Sequence, residues 1–280
     1  MSENENKTAN HSPTLVTNVN GTSFTYREFG QKSGVPIIFL HHFTATIDDW
    51  DPRVIDGIAK EKWVITFDNR GVGGSQGNAP TSVAEMAEDA IAFIKSLGLA
   101  QVDILGFSLG GFIAQVITEK EPQLVRKLIL AGTGVAGRSG TDKIFAMTGD
   151  FIQGSLTGRH PKFYLFFTHT AVGKAAAGAF LNRLTERKKD RVKPTRFATA
   201  LAQSKAIYRW TTQEPMDLSR IEQPVLVVNG EDDRMVSTRS SFELAHRLPN
   251  AALIIYPDAG HGGIFQFHQD FVVKSLHFLT

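Results

Sequence analysis

The strongest constraint in the sequence is a short apolar run, residues 102–107, that passes through Gly106-Phe107-Ser108-Leu109-Gly110 directly into a helix-like pattern at residues 109–115. A strand and a helix joined across one residue must pass close to each other, and the two glycines remove the Cβ atoms that would block the approach. Ser108 then occupies a tight, strained turn with its hydroxyl pushed out of the backbone. The helix that begins there aims its free N–H groups and the positive end of its dipole at the same point. This strand–turn–helix is the sequence form of a nucleophile elbow. The pattern Gly-x-Ser-x-Gly by itself proves little, because it recurs at Gly73-Gly74-Ser75-Gln76-Gly77. Ser75 follows a loop and runs into Asn78-Ala79-Pro80, where no helix can begin. Context therefore selects Ser108 and leaves Ser75 as a loop residue.

Around this elbow the chain alternates strand-like and helix-like stretches. Residues 16–19 and 22–29 alternate about Asn20-Gly21, a hairpin signal. The run 35–40 is continuously apolar and suits a strand buried on both faces, and 63–67, 125–131, 224–228 and 252–256 read as further strands. Between them, Asp51 and Pro52 read as N-cap and first residue of a helix to about Ala59. Ser82 with Glu85 reads as a capping box opening a helix whose apolar face is Val83, Met86, Ala87, Ala90, Ile91, Ile94 and Leu97. Residues 237–248 and 265–278 read as further helices. Such alternation predicts an α/β fold, a mostly parallel twisted sheet covered by helices on both faces. In such sheets ligands bind at the carboxyl ends of the strands, and the loops of interest leave from those ends.

The alternation stops after Gly134 and resumes at 216. The segment 135–215 is helix-like and rich in phenylalanine, including Phe145, Phe151, Phe163, Phe166 and Phe167, and reads as a helical cap inserted into a core made of 14–134 and 216–280. Its basic run, Arg187-Lys188-Lys189 to Lys193, reads as a solvated helix face. Residues 1–13 are polar, without an apolar signal core, and read as a disordered tail on a cytoplasmic protein. The hydrophobic content of 42% is ample for one large core, and the net charge of +2 is too small to point to nucleic acid or an anionic membrane. The partner expected is a small-molecule substrate, with a homo-oligomer left open. The chain has no cysteine, which excludes disulfides, a thiolate nucleophile and zinc–thiolate sites. No cofactor or metal is expected.

Four stretches taken together, Gly106 to Gly110, Asp68 to Ser75, Gly230 to Val236 and Gly260-His261-Gly262, resemble the α/β-hydrolase fold over essentially the whole chain after the tail. Among its subfamilies the sequence is similar to the capped, cofactor-free haloperoxidase/esterase group. The resemblance implies a chain order of nucleophile, acid, histidine. It assigns Ser108 as nucleophile, His261 as its base, and Asp233 as the acid that orients the imidazole, with Asp232 and Glu231 as fallbacks. After the preceding strand, where some relatives carry the acid, this chain has Gly132-Thr133-Gly134 and no carboxylate. The oxyanion-hole donors by position are the N–H groups of Phe43 and Leu109. Relatives commonly read His-Gly-x where this chain reads His41-His42-Phe43, so His42 either lines the pocket or turns outward. His160, His169, His246 and His277 read as surface or packing residues. The Asp68-Asn69-Arg70-Gly71 stretch reads as a structural turn tied by charge-assisted hydrogen bonds.

These residues imply a serine hydrolase that cleaves a small, largely apolar ester, thioester or lactone through an acyl-enzyme. A phenylalanine-rich roof suits an acyl or alkyl substrate. The same triad also serves perhydrolysis and carbon–carbon bond hydrolysis, and a receptor that binds without turnover is the reading from another class.

Overall fold

The computed structural model describes residues 8–137 and 157–280. Its sheet has eight strands in the order β1-β2-β4-β3-β5-β6-β7-β8: Leu15–Val19, Thr22–Phe29, Ile37–Leu40, Val64–Phe67, Val102–Phe107, Val125–Ala131, Val225–Gly230 and Ala251–Tyr256 for β1 to β8. Strands β3 to β8 are mutually parallel, and β2 runs antiparallel to β4. The hairpin β1–β2 closes through Asn20 (φ 51°) and Gly21 (φ 81°), both left-handed as a tight primed turn requires.

Every residue of β3, β4, β5 and β7 is buried, and the reason is visible in the side-chain alternation. Ile38, Leu40, Ile65 and Ile104 face one core, beneath α2 (Val83–Ser96) and α3 (Leu109–Lys120). Ile37, Phe39, Val64 and Leu105 face the other, beneath α1 (Pro52–Ala59) and the C-terminal helix. A strand with helices on both faces has no solvent side, so its sequence is mostly apolar, and a buried exception such as Asp103 of β5 is paired, here with Arg126 at 2.6 Å.

The expected caps hold with one difference. Asp51 accepts from the Arg53 N–H at 3.0 Å, with Pro52 opening α1. Ser82 Oγ accepts from the Glu85 N–H at 3.3 Å, but the return bond from Glu85 is not made, so this is a simple cap and not a box. The complete box is at Thr46 and Asp49, on the single 3₁₀ turn Ile47–Asp49. The final helix is also interrupted. Phe267 stacks on Tyr256 with ring centroids 4.7 Å apart and leaves helical geometry, which divides the segment into α8 (Gly263–Gln266) and α9 (His268–Leu279).

Between β6 and β7 lie α4 (Lys162–Leu165), α5 (Ala171–Arg183) and α6 (Phe197–Thr212), with no strand among the described residues. Helix α7 (Thr238–Arg247) follows β7. Phe145 and Phe151 of the expected roof lie outside the described residues. The aromatic cluster of α4 is buried, and α6 turns Thr199, Gln203, Ala206 and Trp210 inward, with Trp210 stacked on Phe112 at 5.2 Å.

An acidic stretch of the core binds this helical segment. Asp51, with a fully buried side chain, takes a two-pronged contact from Arg183 at 2.6 and 2.9 Å. Asp49 pairs with Lys162. Asp48 pairs with Arg27 at 2.7 Å and accepts the Val192 N–H at 2.7 Å.

Two sequence expectations change here. The stretch 187–193 is irregular, not a helix face, and Arg187 is buried, donating to the carbonyls of Ala9 and Ser12 and to Asp190. The same contacts pack residues 8–13, which composition assigns to a disordered tail. The Ala9 N–H reaches Asp56 at 2.6 Å, and Ser12 is fully buried. A polar segment can be ordered by a buried guanidinium that needs acceptors, and composition does not register such a partner. Among the described residues no helix is long and apolar enough to cross a membrane.

Candidate active site

Strand β5 delivers Ser108 to the first turn of α3 with φ 55° and ψ −117°, a conformation that a serine rarely adopts and that costs about 1–3 kcal/mol. The turn is held from three sides. The Ser108 N–H donates to the Ala131 carbonyl at 2.9 Å, and the Ser108 carbonyl accepts from the Gly111 N–H at 2.8 Å and the Thr133 hydroxyl at 2.9 Å. The flanking glycines are obligatory. A Cβ on Gly106 would stand 2.5 Å from the Gly110 carbonyl oxygen, and one on Gly110 would stand 1.9 Å from that of Leu40.

The loops after β7 and β8 bring Asp233 and His261 together, with Asp233 Oδ2 2.8 Å from His261 Nδ1 and both side chains fully buried. The other oxygen of Asp233 accepts the N–H groups of Met235 and Val236 at 2.8 and 3.0 Å, which fixes the carboxylate plane. Asp232 and Glu231, the fallback acids, are exposed and point into an open cleft beside Thr168 and Thr170. A carboxylate on Nδ1 leaves the ring proton on that nitrogen and the lone pair on Nε2, which has no partner among the described residues. The ring is wedged against Phe107 and Phe166, with centroids at 4.9 and 5.3 Å.

Ser108, His261, His42 and Phe43 line one cavity of about 270 Å³, roofed by Leu165 and Phe166 of the helical segment. The Phe43 and Leu109 N–H groups make no hydrogen bond to another described residue. Thr44, the next in the loop, is held at φ 59° with its N–H donating to Gln203 of α6 at 2.8 Å. His42 turns inward. It is 5% exposed, sits edge-on to Phe107 and Phe166, and has Nδ1 2.9 Å from the Phe43 carbonyl. Burial, followed by the nearby Lys162 ammonium, holds its pKa well below the usual imidazole value. Its neighbour His41 is pushed down to about 4 by burial.

His160, Pro161, Lys162 and Leu165 line the cavity but carried no functional signal in the sequence. His160, read as a surface or packing residue, edges the cavity and accepts the Lys162 N–H on Nδ1 at 3.1 Å. Lys162 pairs with Asp49. Burial alone would raise the Asp49 pKa, but the ammonium overrides it and holds the carboxyl well below the usual range. The pocket thus sets polar groups, His42 and Lys162, directly against the Phe166 ring, at 5.1 and 5.9 Å. Only the arrival of α4 over the loop after β3 creates that pairing, and no motif encodes it.

The second serine pattern is occupied by structure. Ser75 Oγ donates to the Asp68 carbonyl at 2.6 Å and accepts the Thr25 N–H at 2.9 Å. Asp68 accepts the N–H groups of Ile47 and Gly74, while burial raises its carboxyl pKa to about 7. Arg70 pairs with Asp89 at 2.7 Å. These are the ties of a structural turn.

A hydroxyl at a helix N-terminus, an imidazole oriented by a carboxylate, and the Phe43 backbone at one cavity, with Leu109 next in sequence to Ser108, form a set that can do acyl transfer. Comparison with known proteins identifies the family. Residues 35–267 match the alpha/beta hydrolase fold family. A non-heme haloperoxidase from Rhodococcus erythropolis is 30% identical over 257 residues, spanning 89% of this chain and 92% of that protein. A non-heme chloroperoxidase from Streptomyces lividans is 27% identical over 263 residues, spanning 88% and 92%. An alpha/beta hydrolase fold protein from Chitinophaga pinensis superposes with a TM-score of 0.93 at 38% identity, over 98% of this chain and 99% of that one. The chain therefore belongs to the α/β-hydrolase family and is related to its cofactor-free haloperoxidase group.

Proposed function

We propose that the protein is a serine hydrolase that cleaves a small carboxylic ester, thioester or lactone through an acyl-enzyme. The observation that carries this reading is the 2.8 Å contact of His261 Nδ1 with Asp233, which leaves a buried, unpartnered Nε2 in a residue that shares a cavity with Ser108. In this reading His261 takes the Ser108 proton as the oxygen attacks the carbonyl carbon. The oxyanion is held by the N–H groups of Phe43 and Leu109, and His261 returns the proton to the leaving group. Water activated by the same imidazole then releases the acid. Asp233 stabilises the imidazolium without itself taking the proton. The helices α4 to α6 serve as a cap that roofs the pocket, and a volume of about 270 Å³ suits a small substrate.

The test is fluorophosphonate labelling together with hydrolysis of p-nitrophenyl esters from acetate to decanoate, on wild type and Ser108→Ala. Labelling and turnover that both vanish in the variant are expected, with a short-chain optimum. Turnover that survives in Ser108→Ala removes the nucleophile, and labelling without any turnover favours a receptor. The kinship with proteins named haloperoxidases favours one second reading, in which hydrogen peroxide replaces water at the acyl-enzyme and releases a peracid. Peroxide-dependent bromination that requires acetate and Ser108 supports it.

A further inference from the structure

Several buried polar side-chain atoms find no partner among the described residues, but only two belong to residues that line the Ser108 cavity: Nε2 of His261 and Nε2 of His42. The first has its task in the proposed mechanism. The second has none. The tautomer of His42 is set by its own loop. Nδ1 lies 2.9 Å from the Phe43 carbonyl oxygen, which can only accept, so Nδ1 carries the proton. Burial and the Lys162 ammonium keep the ring neutral, as does the neighbouring His41. Asp49 pulls the other way, but it is paired with Lys162. A neutral ring with its proton on Nδ1 leaves a bare lone pair on Nε2. The edge-on contacts with Phe107 and Phe166, at 5.4 and 5.1 Å, keep the ring from swinging out to solvent. A buried acceptor with no donor carries the desolvation cost of a hydrogen bond that is not made.

We propose that His42 determines specificity, accepting on Nε2 a hydrogen bond from a hydroxyl or amide N–H on the acyl part of the substrate. This rests on the serine-hydrolase reading, because it is the position of His42 beside Phe43, an oxyanion donor in that reading, that puts the substrate donor on the acyl side of the scissile carbonyl. The Lys162–Asp49 pair adjoins the same wall, so this side of the pocket suits an oxygen- or nitrogen-bearing acyl group better than plain hydrocarbon. A site built to bond a substrate donor discriminates against the analogue that lacks it much more strongly than an apolar pocket can.

The experiment compares kcat/KM for phenyl butanoate and its 2-hydroxy, 3-hydroxy and 2-acetamido derivatives on wild type, His42→Phe and His42→Gln. Wild type is expected to favour at least one donor-bearing ester over butanoate by about tenfold or more. His42→Phe is expected to bring that ratio near one, and His42→Gln, whose amide oxygen can accept, to keep part of it. A wild-type ratio near one for all three derivatives overturns the proposal, as does a ratio that survives in His42→Phe. Should His42→Phe fail to fold, the wild-type ratios and His42→Gln still decide. If fluorophosphonate labels Ser108 but none of the four esters is turned over, the proposal falls while the nucleophile stands. An absence of labelling removes the serine-hydrolase reading and the proposal with it.

Discussion

Replacing Asp233 by asparagine isolates what the acid does, because the structure allows the swap with little disturbance of shape. One oxygen of Asp233 accepts two backbone N–H groups at 2.8 and 3.0 Å, and an asparagine oxygen can keep both bonds. The amide nitrogen must then face His261 Nδ1 in place of the carboxylate oxygen now at 2.8 Å. An N–H donor there requires a lone pair on Nδ1, which moves the ring proton to Nε2. That nitrogen can then no longer accept the Ser108 proton. The imidazolium also loses its buried counter-charge, since both side chains are fully excluded from solvent. Together these effects cost about 10⁴-fold in kcat, the size expected for a triad locked in the wrong tautomer. At 1.36 kcal/mol per decade this is about 5 kcal/mol of transition-state stabilisation. The assay is kcat and kcat/KM on a p-nitrophenyl ester, with the melting temperature recorded in parallel and Asp232→Asn as the control. Asp232 is exposed, so its variant should stay within a few-fold of wild type. A loss below tenfold in Asp233→Asn, or equal losses in the two variants, would refute the assignment of the acid.

Other perturbations test the frame around the site. Ser75→Ala removes the partner of the Thr25 N–H and of the Asp68 carbonyl, so it should cost about 1–3 kcal/mol by urea unfolding and leave fluorophosphonate labelling intact; lost labelling would show that the wrong serine had been chosen. Arg183→Met strands the fully buried Asp51 and should cost about 3–5 kcal/mol, read as a fall in melting temperature, whereas a change under about 1 kcal/mol would mean that the pair does not hold the helical segment. Asp68 has its folded pKa raised to about 7 from an ordinary 3.8, so between those values the folded state holds more protons than the unfolded one. Stability from this group is therefore greatest below pH 4 and falls as pH rises through 7, by at most about 1.4 kcal/mol per unit. Urea unfolding of wild type against Asp68→Asn across that range should show a steeper fall in wild type, since Asp56, raised to about 6, titrates in both, and parallel profiles would refute it.

Much of the fold was legible because its signals are local. A strand covered on both faces has few polar positions, and residues 35–40, 63–67 and 102–107 carry only Thr66 and Asp103. Asp51-Pro52 and Asn20-Gly21 mark their helix start and turn through backbone requirements confined to two residues. Where a partner distant in sequence decides, the local signal misleads. The run at 187–193 has the charge of a solvated face, yet Arg187 is buried against residues 9 and 12. The final helix has an unbroken apolar pattern, yet Phe267 breaks it to stack on Tyr256.

The same division runs through the site. The sequence by itself determined the elbow, because a strand and a helix crossing at one serine need Gly106 wherever the rest of the chain goes, whereas Gly110 is required by the neighbouring strand at Leu40. Resemblance to the family ranked Asp233 and His261, both in loops that leave the ends of parallel strands. Only the tertiary structure decided that Asp233, and not Asp232, is the carboxylate on the imidazole. Neighbouring residues of one loop point to opposite sides, and the backbone bonds of Met235 and Val236 choose between them. It alone brought Lys162 to Asp49 and turned His42 inward between Phe107 and Phe166. Those contacts join residues far apart in sequence, Lys162 and Asp49 by 113 positions, and no short motif records them because each side chain's surroundings are made by the packing of the others.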